Sequence, residues 1–266
     1  MMPSQARLFK EPPRPAGSWR PPDPLPDLAR YPRLSVDTET TGVDIVRDRP
    51  IGIAVHTPDD RAYYLPFAHP FGSLDPARVK DWARRELRGK DLDFSSAKFD
   101  NHMFLNWGID LEAQGCRLHD VQHAAALLDE HRRRFGLNVL AEEFLGLGKF
   151  ELPTDVKICE MSGGEVGPYA ENDARLVSRL RYHLAPKIAA EDLGRVLDLE
   201  DALIYATCEM ERNGAPIDVP KLARWRAAVR AEYAAAILEI YAELKLRVNP
   251  NSGPDLARLF RELGLR

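Results

Sequence analysis

Asp37 and Glu39 stand two residues apart at the end of an apolar run, Arg33-Leu34-Ser35-Val36. Side chains alternate along a strand, so both carboxylates face the same way. Two carboxylates on one face can chelate a hard divalent cation. Spacing alone does not establish this, because chance gives about six acid-x-acid pairs among 41 acids in 266 positions, and such pairs also describe solvated turns. The context favours chemistry: the strand runs into Thr40-Thr41-Gly42, where a glycine turn lets a substrate backbone come close. Tyr169 and Asp173 are four apart and on a helix share one face, so one turn can supply a metal ligand and a hydroxyl that orients water. The same spacing also fits a surface pair near a helix N-terminus, where Asp complements the macrodipole and Pro168 suits a first turn. Asp100 lies in Ser95-Ser96-Ala97-Lys98-Phe99-Asp100, a strand-to-helix junction where Asp serves as an N-cap as readily as a ligand.

The elements that must position these groups read as follows. Short β-type runs at 33–36, 51–55 and 62–65, with a turn at 57–60, predict an antiparallel meander. Then come a helix at 76–87, a strand at 92–95, and helices at 99–106, 121–130 and 137–144. Three hairpin strands followed by alternating helices and strands predict a mixed α/β sheet with helices on both faces. Beyond about residue 189 the strand signals stop. Long helices at 191–212 and 219–246 are separated by Asn213-Gly214-Ala215-Pro216, and a last short helix at 254–263 ends without a new hydrophobic core. Residues 1–32 are expected to be a flexible Pro-rich arm, since nine of the 21 prolines fall in the first 33 residues and no apolar period accompanies them.

Composition narrows the function classes. There is no run of 18 apolar residues and no leader with a cleavage site, so neither a membrane partner nor secretion is expected; the expected setting is cytoplasmic and the expected state monomeric. Three dispersed cysteines, Cys116, Cys159 and Cys208, form no C-x-x-C and read as small buried hydrophobes. A net charge of −4 excludes nucleic-acid binding by bulk positive charge. His119 and His123, with His102 and Cys116 nearby, suggest a zinc site on spacing alone but lack a second ligand pair, and Asp120 reads as an N-cap. The run His131-Arg132-Arg133-Arg134, and Arg84, Arg85, Arg88 and Lys90, read as solvated surface or phosphate contacts. Trp82, Trp107 and Trp225 read as core or domain-contact residues, and Phe99 as core.

Taken together, Val36-Asp37-Thr38-Glu39-Thr40-Thr41-Gly42, then Ala97-Lys98-Phe99-Asp100, then Tyr169-Ala170-Glu171-Asn172-Asp173-Ala174 resemble the three motifs of the DnaQ-like 3′-5′ exonucleases, in the subclass that uses tyrosine. The stretch 136–146 resembles that family's helix between its second and third motifs, and the resemblance covers residues 33–186. Glu209-Met210-Glu211-Arg212-Asn213-Gly214-Ala215-Pro216-Ile217-Asp218 is similar to the junction that follows this domain in family A, polymerase I-like DNA polymerases of phage or bacteria; residues 249–265 resemble the start of the thumb beyond it. The resemblance implies an RNase H-like fold, an exonuclease domain at 33–188, and at 189–266 the helical start of a polymerase module, cut just past the thumb's first helices. It implies two Mg2+ or Mn2+ ions held by Asp37, Glu39, Asp100 and Asp173, and a water oriented by Tyr169. The implied reaction is proofreading: release of 5′-mononucleotides from a single-stranded or frayed DNA 3′ end, with a polymerase module in cis or in trans as partner. Thr40 is expected at the terminal 3′ hydroxyl, Val43 in the place of a leucine that wedges against the terminal base, and Ser96 at the strand.

The sequence departs from the family pattern at Ser95-Ser96, where His-Asn is usual; that asparagine helps hold the 3′-terminal strand. Two other functions fit the same residues: a catalytically silent domain that braces a polymerase or holds single-stranded DNA, and a 3′ ribonuclease like RNase D. Clustered carboxylates repel without a cation, which disfavours the first, and the polymerase-like segment from Glu209 disfavours the second. Residues 34–190 carry a net −5, which two divalent cations reduce to about −1, so the ions supply the local positive charge that composition lacks.

Overall fold

The computed structural model describes residues 19–265 apart from Lys149, Glu151, Thr154 and Leu246. Strands β1 (Arg33–Thr40), β2 (Pro50–His56) and β3 (Ala62–Pro66) form the antiparallel meander. Strands β4 (Asp91–Phe94) and β5 (Arg117–Asp120) add in parallel on the other side of β1, giving the order β3-β2-β1-β4-β5. The central strand faces two cores. Leu34 and Val36 pack with Trp82, Phe94 and Phe104 from α1 (Pro76–Glu86), β4 and α2 (Ala97–Asn106). The opposite face meets α5 (Gly163–Ala190), whose Val166, Ala170 and Ala174 pack on Ala54 and Tyr64. Strand β2 is buried along its whole length, as a strand covered on both faces must be. Helices α3 (Val121–Leu128) and α4 (Leu137–Leu145) pack on the later turns of α5. The sheet is thus mixed, with helices on both faces, as the patterning of strands and helices implies.

Three differences from the sequence reading have physical causes. Strand β5 carries Arg117-Leu118-His119-Asp120, which shows no alternation of apolar residues; it is a strand because it pairs in register with β4, Leu118 opposite Leu92. Residues 19–32 are not a free arm. Leu28 is 1% exposed, and the segment's backbone, which prolines bar from a ladder, finds partners on the core. The Trp82 indole donates to Pro26 O at 2.7 Å, Lys90 Nζ donates to Leu28 O at 3.1 Å, and Leu28 N donates to the Glu86 carboxylate at 2.8 Å. Lys90 is therefore buried rather than solvated. The remainder of the expected arm, 1–18, lies outside the described residues. Arg132 is also no loose surface charge: it makes two bonds to Glu143 and lies over the Phe144 ring.

The chain divides into two compact units, Met1–Asn213 and Gly214–Arg266, whereas position 188 falls inside α5. Helix α6 (Gly194–Asn213) belongs to the first unit and buries Leu197, Asp201, Ile204 and Cys208. The second unit holds α7 (Val219–Leu244), capped by Asp218 with Pro220 in its first turn, and α8 (Gly253–Glu262). Trp225 on α7 is 61% exposed, not core. Cys116 and Cys208 are buried, Cys159 only partly so.

Among the described residues His119 and His123 join no cluster of metal-ligating groups; they form a clasp. Both Nδ1 atoms lie on the Asp201 carboxylate, at 2.9 and 3.0 Å, which also accepts from Asp120 N at 3.2 Å. Burial pushes the Asp201 pKa up, but the bonds from His119, His123 and the Asp120 amide bring it below its ordinary value. The bond to Asp201 holds the His123 pKa above its ordinary value against burial. The depressed Asp201 pKa gives stability present above its unfolded value and lost as pH falls through the depressed one. The raised His123 pKa gives stability present below about 6.5 and lost as pH rises through the raised value. Asp201→Asn is therefore expected to lower the melting temperature more at pH 6 than at pH 9, with a cost of about 1–3 kcal/mol at pH 6. An equal deficit at both pH values in thermal denaturation contradicts this.

Candidate metal centre

The site is built where β1 passes under α5. Asp37 pairs with Ala54 and Glu39 with Gly52 on β2, so both carboxylates project to the face that α5 covers. Helix α5 starts at a capping box: Ser162 Oγ accepts from Glu165 N at 3.3 Å, and Glu165 Oε2 accepts from Ser162 N at 2.9 Å. Its first residue, Gly163, sits so close to the meander that a Cβ there would meet Gly72 O and Pro66 Cβ at 2.7 Å. That close approach lets the third turn of α5 deliver Asp173 to the sheet.

Asp37, Glu39 and Asp173 each offer a carboxylate oxygen, and these oxygens lie within 4.8 Å of one another. Asp37 is partly buried, whereas Glu39 is 6% and Asp173 2% exposed. Like charges so close and so dry repel, and a cation is what makes such a set stable. The donors are all carboxylate oxygens, a set that suits a hard divalent cation. Tyr169 lies one turn before Asp173 on the same helix, half-buried against the cluster around Tyr64. Pro168 stands inside α5 rather than at its first position.

Asp100 is not one of the three converging carboxylates. It lies in the first turn of α2, whose N-cap position is Ser96. The Asp120 carboxylate accepts from Ala97 N at 2.8 Å and from Gln122 N at 2.8 Å, so one side chain caps both α2 and α3. Thus fixed, Asp100 receives the Thr38 hydroxyl at 2.6 Å. Burial pushes its carboxyl up to about 7, with the Thr38 bond opposing and the Asp120 charge adding. Of the other expected contacts, Thr40 donates its hydroxyl to Gly42 O at 2.8 Å, Val43 is 85% exposed, and Ser96 has φ +118° with no side-chain cap. Reading from sequence missed Thr38. The period of two that joins Asp37 and Glu39 necessarily turns Thr38 to the other face, toward α2, and that signal was available. It also missed Tyr64 and His69, which lie beside the site and are bonded at 2.6 Å.

Three comparisons bear on this geometry. A family model described as 3′-5′ exonuclease, that of family A DNA polymerases, matches residues 23–189. The chain is 26% identical over 254 residues to DNA polymerase DpoZ of Acinetobacter phage SH-Ab 15497, covering 89% of this chain and 39% of the relative. It is 27% identical over 252 residues to DNA polymerase I of Pseudomonas aeruginosa, covering 87% and 27%. The chain therefore spans well under half the length of these relatives. In fold it is similar to the POL domain of Pol1 from M. smegmatis, solved in complex with DNA primer-template and dNTP (TM-score 0.70, 21% identity, 88% of this chain and 38% of that one). It is also similar to Escherichia coli RNase D, an exoribonuclease (TM-score 0.53, 17% identity, 69% and 46%). The fold is accordingly the RNase H-like one expected. In the metal-free protein, carbon-13 NMR of the carboxyls is expected to show Asp100 titrating near pH 7, and Thr38→Val, by removing the hydroxyl that opposes burial, to move that midpoint higher. A midpoint left in place by Thr38→Val rules this out.

Proposed function

The chain belongs to the 3′-5′ exonuclease family of the family A DNA polymerases, and on that premise we propose that it removes 5′-mononucleotides from a single-stranded or frayed DNA 3′ end, as the proofreading domain of a polymerase acting in a bacterial or phage-infected cytoplasm. The observation that carries this reading is the convergence of Asp37, Glu39 and Asp173 within 4.8 Å, with Tyr169 one turn away.

Asp37, Glu39 and Asp173 would hold one divalent cation, and Asp37 with Asp100 the other. Bound there, the cations supply activation of a water for attack and neutralise charge on the leaving 3′ oxygen. The protein's own residues do the rest. The Tyr169 hydroxyl orients the attacking water by hydrogen bond; a phenol with an ordinary pKa near 10 is a poor base at neutral pH. Thr40 meets the terminal 3′ hydroxyl, exposed Val43 offers an apolar edge to the terminal base, and the backbone at Ser96 lines the strand path. The surface from Gly214 onward is the start of the polymerase module, which completes the protein in cis or in trans. Among the described residues no helix is long and apolar enough to cross a membrane.

A 5′-labelled DNA oligonucleotide is expected to shorten by single nucleotides only when Mg2+ or Mn2+ is present. Asp37→Ala is expected to slow this by a factor on the order of 10³ or more, the several kcal/mol that metal catalysis contributes. Equal digestion by the mutant sinks the assignment, no digestion by the wild type revives the silent brace, and faster digestion of a matched RNA points to a ribonuclease.

A further inference from the structure

The Tyr64 phenol lies beside the carboxylate centre. On the face covered by α5, Asp37, Ala54 and Tyr64 form one cross-strand row, and Glu39, Gly52 and Pro66 the next. Gly52 has no side chain, and Tyr64 leans diagonally into the space this leaves: a Cβ on Gly52 would lie 2.0 Å from the phenol oxygen. That oxygen therefore sits over Gly52, whose partner across the ladder is Glu39. The phenol is fully buried, and with an ordinary pKa near 10 it is protonated in the neutral range.

Where that proton points is decided two groups away. Tyr64 Oη is 2.6 Å from His69 Nε2, and His69 Nδ1 is 2.9 Å from Met161 O. A backbone carbonyl can only accept, so Nδ1 carries the ring proton. Burial keeps His69 below its ordinary pKa despite the Met161 bond, hence neutral at pH 7, so Nε2 has a lone pair and no proton. It must accept, and the phenol has only one proton to give. The order is fixed: Tyr64 O–H donates to His69 Nε2, and His69 Nδ1–H donates to Met161 O. The phenol then shows lone pairs, not a proton, to its carboxylate neighbours.

We propose that His69 is a positioning residue of the carboxylate centre: by holding the Tyr64 proton it prevents the phenol from donating to Glu39 or Asp37 and so keeps both carboxylates as acceptors for a divalent cation. A hydroxyl released beside a buried carboxylate forms a charge-assisted bond to it, and a cation must then displace that bond. This inference rests on the reading of Asp37, Glu39 and Asp173 as a cation site.

The test is Mn2+ titration by calorimetry on four folded proteins: wild type, Asp37→Ala, His69→Leu, and the double variant Tyr64→Phe/His69→Leu. Binding by wild type and loss in Asp37→Ala establish the cation site; without them that reading falls and this one with it. Given them, His69→Leu is expected to weaken Mn2+ binding tenfold or more, and the double variant, which has no phenol proton to misdirect, to recover to within about threefold of wild type, the non-additivity expected of groups in contact. A merely structural role predicts the reverse, a double variant no better than the single. Unchanged affinity in His69→Leu, or no recovery in the double variant, overturns the proposal. If His69→Leu does not fold by circular dichroism, His69→Asn takes its place with the same expectations, since its shorter amide reproduces the Nδ1 position but not Nε2.

Discussion

Repulsion among Asp37, Glu39 and Asp173 is the constraint around which the first unit is organised. At an effective dielectric near 20, two unit charges about 5 Å apart would repel by roughly 3 kcal/mol, and Asp37, Glu39 and Asp173 bring their carboxylate oxygens within 4.8 Å at the junction of β1 and α5. Side chains on loops would swing apart. These cannot, because each is carried by a rigid element: β1 is paired on both edges, to β2 and to β4, and α5 is a 28-residue helix fastened at its start by the Ser162–Glu165 box. The close approach at Gly163 sets the height of that helix over the meander. The three carboxylates are thus held together by the ordered parts of the fold.

A second layer fixes the element that carries Asp100. Asp120 caps α2 and α3 together, and its own amide is held by Asp201 from α6. The far side of α2 is tied to the same helix, with Lys98 at 2.7 Å and His102 at 2.9 Å from the Glu211 carboxylate. Helix α6 follows the last carboxylate of the centre in sequence, yet it braces the helix that bears an earlier one. That is a physical reason for the compact unit to run on to Asn213 rather than stop at the end of α5. A break at residue 188 would remove the buried acceptor on which His119, His123 and the Asp120 amide all depend.

What could be read from the sequence follows the range of the forces involved. Asp37 with Glu39, and Tyr169 with Asp173, were legible because strand and helix periods are local and decide which side chains share a face. Asp100 was legible only as part of a motif order, since its partner, the Thr38 hydroxyl, is 62 residues away. Strand β5 was invisible because pairing to β4, not its own pattern, makes it a strand. Residues 19–32 looked unstructured for a sound local reason, their prolines, and are ordered for a non-local one, the donors of Trp82 and Lys90. The Tyr64–His69–Met161 chain joins β3 to two connecting segments and leaves no periodic trace.

The departure at Ser95-Ser96 takes on a different meaning beside the backbone. Ser96 has φ +118° and ψ 52°, a conformation that L side chains rarely adopt and that costs of order 1–3 kcal/mol. Asparagine, which the resembling family carries there, visits positive φ more readily than serine. The backbone keeps this shape because its neighbours are fixed: Ala97 N is bound to Asp120, Asp100 N donates to Ser96 O at 3.2 Å, and Gln122 reaches Ser95 O at 3.3 Å. The start of α2 is thus set by the Asp120 cap and not by the identity of residue 96. A change of side chain at residue 96 therefore leaves the start of α2, and with it the placement of Asp100, to the Asp120 cap.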